Sequence, residues 1–245
     1  MVQFYAPTEN ILDEKIAIQG EEARHLIYVL RKKPGDVIQV FDGQGQTYQV
    51  KIEKIEKDKI HTKILSRAPT AGIRTKLRLF QSLLKSPKMD YLIQKVTELG
   101  VDTVTPIFTA RTTVKIDSKK VEGKLVHWRK IALNAAKQCG RAKLPVLNSP
   151  VKLAKALETT ENNGLSLLLH EKEKEKKLEH VLKNLYNEQR KVNLFIGPEG
   201  GFTDEEINLA KTYGVTSVGL KGNILRSETA ALVVLGVVLY ECGEL

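Results

Sequence analysis

The chain is poor in the residues and signals that mark several large function classes. It has two cysteines, Cys139 and Cys242, in 245 residues, which suggests neither a disulfide framework nor a metal cluster. Met1 to Asn10 lacks a basic stretch followed by an apolar one, so no signal peptide is expected. The longest uncharged run, Thr229 to Tyr240, is too short to cross a bilayer and fits a buried helix. Gly-Lys-Ser/Thr and GxGxxG are also missing, which removes the phosphate-loop and dinucleotide fingerprints. The expectation is a cytoplasmic protein with reduced thiols, bound to neither metal nor membrane. Its 42% hydrophobic and 28% charged residues suit a folded soluble chain. Its length leaves room for two domains.

The net charge of +10 is unevenly placed. Residues 71–152 carry 17 Lys and Arg against 5 Asp and Glu, a net of +12. Residues 153–245 carry 11 against 14, a net of −3. A basic middle beside an acidic final third points to a polyanion, nucleic acid before a merely solvated surface. The cations also punctuate loop-like segments: Lys85-Ser-Pro-Lys88, Ala110-Arg-Thr-Thr113 and Gly140-Arg-Ala-Lys143.

Residues 1–70 predict mostly β structure. Val37 to Phe41, Thr47 to Ile55 and Ile60 to Leu65 read as strands, with a turn at Asp42-Gly-Gln-Gly45. Only Glu21 to Leu30 looks helical, and Arg67 to Gly72 reads as a linker. From residue 73 strands and helices alternate, the mark of an α/β sheet. Strands are expected at Leu77 to Leu84, Val104 to Phe108, Leu165 to Leu169, Leu194 to Ile196 and Ser217 to Leu220. Helices are expected at Met89 to Leu99, Lys119 to Cys139 and Ser227 to Tyr240, the last apolar nearly all round. Glu171 to Lys177 alternates Glu and Lys, which reads as a solvated loop or helix start.

The densest signal is Asn193 to Glu206. An apolar strand enters a Gly/Pro loop, and the loop feeds a helix with a capping box, Thr203 with Glu206. Such a loop holds a small ligand against backbone amides. Its own carboxylate, Glu199, argues against phosphate and for a ligand with hydroxyls, an amine or a positive charge.

Phe195-Ile-Gly-Pro-Glu-Gly-Gly-Phe-Thr203 and Ile224-Leu-Arg-Ser-Glu-Thr-Ala-Ala231 together resemble the two signature loops of the RsmE family. These are SPOUT-class methyltransferases acting on uridine N3 of small-subunit (16S) ribosomal RNA. Met89 to Val101 resembles the family's first helix, and Trp128 to Arg141 with Pro145 its second. Glu22 to Arg31, Gly35-Asp36 and Phe41-Asp-Gly43 resemble its PUA-like barrel. The chain departs at Leu220-Lys-Gly-Asn223, where the family has Leu-Gly, any residue, then Arg. It departs again at Ser227, where Thr is commoner, and at Lys137, where Glu is usual. The first change bears on one wall of the ligand pocket. The resemblance implies an α/β fold: a PUA-like, RNA-binding β-barrel over 1–70, then a dimerising SPOUT domain with a trefoil knot over 73–245. It also implies S-adenosylmethionine as cofactor, a homodimer, and ribosomal RNA or the small ribosomal subunit as partner.

By that resemblance the cofactor is cradled by Leu169, Ile196, Gly197, Pro198, Glu199, Gly200, Gly201, Leu220, Gly222, Asn223, Ile224 and Leu225. Several of these also suit plain core packing. Arg226 is the first candidate for catalysis, its guanidinium favouring an anionic uracil; tying loops together or fixing a phosphate are its other readings. Glu199 or Glu228 is placed to accept the N3 proton. Glu228 in a helix first turn also serves the macrodipole, and Glu199 also suits orienting a ligand. Lys85, Lys88, Arg111, Lys137, Gln138 and Arg141 are the RNA candidates, with Arg24 and Arg31 from the barrel. Two other readings stay open: a SPOUT enzyme on another RNA target (a tRNA base or a ribose 2′-hydroxyl), and a non-catalytic RNA-binding ribosome-assembly factor.

Overall fold

The computed structural model describes residues 3–160, 164–183 and 191–245. The chain divides into two compact units, Met1–Gly72 with Leu133–Leu144, and Ile73–Ala132 with Pro145–Leu245.

The first unit is built on one six-stranded sheet. Its strands are β1 (Gln3–Tyr5), β2 (Ile11–Leu12), β3 (Lys15–Gln19), β4 (Val37–Phe41), β5 (Gln46–Glu56) and β6 (Lys59–Pro69). Their order is β1-β4-β5-β6-β3-β2. β1 runs parallel to β4, and the other neighbours are antiparallel. Alternation along β5 and β6 sends Val50, Ile52 and Ile60 into a core with Phe4, Ile16, Ile18, Leu26 and Val40. The predicted helix appears as α1 (Gly20–Arg24) followed by a π turn, His25–Val29. Arg31 then turns left-handed, at φ 51°. The predicted linker begins later than its composition suggests, because Arg67 to Pro69 pair with Gln46 to Tyr48. Proline is tolerated there since it ends the strand. Leu133–Leu144, read from the strand–helix pattern as part of the second domain, groups with the first unit. Gln3 Nε2 donates to the carbonyls of Ala136 and Arg141, at 3.2 and 3.3 Å, and Leu144 N donates to Gly43 O.

The second unit alternates strand and helix. In order it has β7 (Lys76–Ser82), α2 (Ser86–Glu98), β8 (Thr103–Phe108), α3 (Val121–Cys139), β9 (Val146–Leu147), β10 (Val151–Lys152) and α4 (Leu153–Glu158). Then come β11 (Leu165–Leu169), α5 (Leu178–Leu182), β12 (Lys191–Ile196), α6 (Asp204–Thr212), β13 (Thr216–Val218) and α7 (Ser227–Glu241). The sheet order is β10-β8-β7-β12-β11-β13, with β9 beside β8, and every pairing is parallel. A parallel sheet is covered on both faces, so its strands are apolar on both. Leu77, Leu79, Leu167, Leu194 and Ile196 enter one core, with α2 and α7. Phe80, Leu168 and Phe195 enter the other, with α4 and α6. Phe80 and Phe195 pair in register, and their rings stack with centroids 4.4 Å apart. α7 buries Ala231, Val234, Leu235, Val238 and Leu239 but leaves Val233, Val237 and Tyr240 exposed, at helical spacing. Among the described residues no helix is long and apolar enough to cross a membrane.

Candidate functional site

The carboxyl ends of β12, β11 and β13, three neighbouring strands, open onto one cavity of about 400 Å³. Ligands of open α/β sheets bind at such ends, and the volume suits a nucleoside-sized molecule. All twelve residues expected to cradle the cofactor line this cavity, from the end of β11 (Leu169), the loop after β12 (Ile196 to Gly201) and the loop after β13 (Leu220 to Leu225). Arg226 lines it as well. Ile224 is 82% exposed at its wall, an apolar surface suited to a flat ring.

The glycine loop is held from several sides. Gly201 N donates to Pro198 O, which closes the turn, and Gly201 adopts φ 69°. A Cβ on Gly201 would lie 2.8 Å from both carboxylate oxygens of Glu171, so the position admits only glycine without adjustment. Arg111 Nη1 donates to Gly200 O at 2.7 Å. Ser227 Oγ donates to Gly197 O at 2.5 Å and accepts from Gln81 Nε2 at 2.9 Å. That chain of bonds joins the end of β7, the glycine loop and the start of α7. Downstream, Thr203 and Glu206 form the expected capping box, and Glu206 also accepts from Ala110 N at 2.7 Å.

The charged groups at the rim follow a different pattern from the one predicted. Lys88, expected on RNA, places Nζ 2.8 Å from Glu199 Oε1 and 3.8 Å from Glu228 Oε1. Hydrogen bonding to Lys88 holds the Glu199 carboxyl below its ordinary value, against partial burial, and Lys85 adds to the effect. Glu228 is buried in the first turn of α7, and its Oε2 has no hydrogen-bond partner among the described residues. Arg226 is the N-cap residue of α7 and exposed, with no side-chain bond or ion pair among the described residues.

The remaining RNA candidates fall into two sets. Lys85 stays exposed just before α2, and Arg111 braces the glycine loop. Lys137, Gln138, Arg141, Arg24 and Arg31 belong to the first unit. Lys137 pairs there with Glu22 and Arg24 with Asp58, while Gln138 is exposed in the last turn of α3. His170, Glu171, Ser227 and Ala230 also line the cavity and were not among the residues expected to cradle the cofactor, though Ser227 and Ala230 belong to the second signature loop. Glu171 was hidden in a run of alternating charges. Its proximity to Gly201 has no local sequence signal.

Residues 72–239 match the family of the RNA methyltransferase domain, and residues 18–65 match the RNA methyltransferase PUA domain. The chain is 30% identical over 230 residues to the ribosomal RNA small subunit methyltransferase E of Bacillus subtilis, covering 92% of this chain and 90% of that protein. Its fold superposes with a TM-score of 0.86 on the ribosomal RNA small subunit methyltransferase E of Neisseria gonorrhoeae, solved bound to S-adenosyl methionine. Identity there is 27%, with 98% of this chain and 97% of the other covered. A Legionella pneumophila structure with the bound cofactor SAM also superposes with a TM-score of 0.86, at 32% identity, covering 98% of this chain and 97% of that one.

Proposed function

Since the chain belongs to the RNA methyltransferase family, with a PUA domain preceding the transferase domain, we propose that it methylates small-subunit ribosomal RNA from S-adenosylmethionine, at N3 of a uridine, in the cytoplasm and as a homodimer. The observation that carries this reading is the convergence of both signature loops on one cavity at the carboxyl ends of β12, β11 and β13. The chemistry of that cavity suits the cofactor. Gly197, Gly200 and Gly201 let backbone approach closely, Ile224 and Leu225 offer an apolar wall, and Glu199 offers an ionised acceptor to hydroxyls or an amine.

When bound, the cofactor supplies an electrophilic methyl group on a sulfonium. The chain's own residues deal with the uracil. Its N3 carries a proton and lies on the pairing edge, so the base must be unpaired or turned out of its stack. Arg226, free of internal partners and at the cavity wall, faces the carbonyls flanking N3 and stabilises the anion left by proton loss. Glu199, held ionised by Lys88, is a weak base and serves as an orienting acceptor. Glu228 is buried in the first turn of α7 and does not line the cavity, which leaves proton loss to water as the reading best supported. The exposed apolar stripe of α7 supports burial against a second copy.

The test is nucleoside mass analysis of small-subunit RNA after incubation with the protein and S-adenosylmethionine. N3-methyluridine at one position is the expected product. A methylated ribose, or no methyl transfer with either free RNA or assembled subunits, would overturn the reading.

A further inference from the structure

We propose that Lys88 is a positioning residue of the transferase and not an RNA contact: its ammonium fastens the glycine loop to the first turn of α7, and so fixes the cavity wall that carries Glu199. The inference rests on the methyltransferase reading above.

Three elements meet at this one group. Lys88 stands in the first turn of α2, Glu199 in the loop after β12, and Glu228 in the first turn of α7. The Lys88 side chain is 31% exposed, between carboxylates that are 43% and 12% exposed. A lysine that reads phosphate extends into water; this one is folded over two carboxylates. Arg111 and Ser227 also hold the loop, but both grip backbone carbonyls. Lys88 instead donates to the side chain of Glu199, at 2.8 Å, beside a bond from the backbone of Glu199 itself. The other charges around this carboxylate are Lys85 ahead of α2, Arg111 after β8, Glu171 after β11, and Arg226 with Glu228 at α7.

A loop rich in glycine loses much backbone freedom when it closes on a ligand. A wall set beforehand removes part of that cost from binding. The charge has a second effect. With its carboxyl held below its ordinary value by the bond to Lys88, Glu199 stays an acceptor to lower pH than an unpaired carboxylate would.

The experiment is calorimetric titration with S-adenosylhomocysteine, run from neutral to acid pH on the full chain. Lys88→Met should bind roughly tenfold more weakly at neutral pH, the cost of ordering one or two side chains on binding. On acidification it should also begin to lose affinity at a higher pH than the unaltered protein, because Glu199 then titrates nearer its ordinary value. Lys88→Arg should restore both properties. Binding of a small-subunit RNA fragment, and its salt dependence, should not change. Should Lys88→Met prove unstable, Glu199→Gln breaks the same pair from the other side, and it should weaken binding and erase the acid limb. The double variant should be no worse than the weaker single one, as expected of one shared interaction. Unaltered ligand affinity at every pH in Lys88→Met or Glu199→Gln, additive losses in the double variant, or a salt slope reduced by about one with ligand binding intact would each overturn the proposal. A failure of the unaltered protein to bind the probe would instead overturn the methyltransferase reading.

Discussion

Gly201 shows how tightly one position is specified. It needs φ 69°, and the space a side chain would take is already filled by the Glu171 carboxylate. Gly201→Ala should therefore cost about 1–3 kcal/mol in urea unfolding and weaken ligand binding. Adding Glu171→Ala should recover little, since that carboxylate ends a flexible exposed side chain that moves aside while the backbone strain stays. A fully stable Gly201→Ala would mean the loop has another low-energy path. Arg226 makes the matching case for chemistry. Arg226→Ala should slow single-turnover methyl transfer by roughly 10²–10³-fold and leave S-adenosylhomocysteine affinity in place; undiminished transfer would remove Arg226 from the reaction. The residues of the two loops were legible because each loop carries its glycines and apolar positions in one short stretch. The contacts of Lys88 and Gln81 were not legible, for the same reason. Each acts on a residue more than a hundred positions away, and nothing local in sequence marks such a partner.

At the scale of elements, patterning predicted most strands and helices of the second unit, because strands buried on both faces read as unbroken apolar runs. β9 and β10, two residues each, are too short to show a period. The π turn after α1 departs from a regular helix in a stretch whose composition gives no warning. The capping box was readable from spacing alone, and its structure adds a link: Glu206 serves Thr203 N and Ala110 N together. Thr203→Ala should cost about 1 kcal/mol. Glu206→Ala should cost more, because it frees two amides, one of them in the loop that carries Arg111. Equal losses in chemical denaturation would show that the bond to Ala110 adds nothing.

For the whole molecule, the basic middle of the sequence is divided by the fold. Arg111 and Lys88 work within the second unit, while Lys137 and Arg141 group with the first. Runs of charge in sequence thus overstate how many cations remain for RNA. α7 bears on assembly. It is apolar nearly all round, as a buried helix is, yet Val233 and Val237 remain exposed in one chain. Val237→Glu should shift sedimentation from dimer to monomer; an unshifted dimer would place the contact elsewhere.

The stacked pair Phe80 and Phe195 has a kinetic meaning. It joins strands drawn from the beginning and the later part of the second unit, in a sheet with no hairpin from which to start. Contacts between such distant segments form slowly. The floor of the cavity is made from strand ends that depend on that meeting, so the pocket is expected to form only once β7 and β12 have paired.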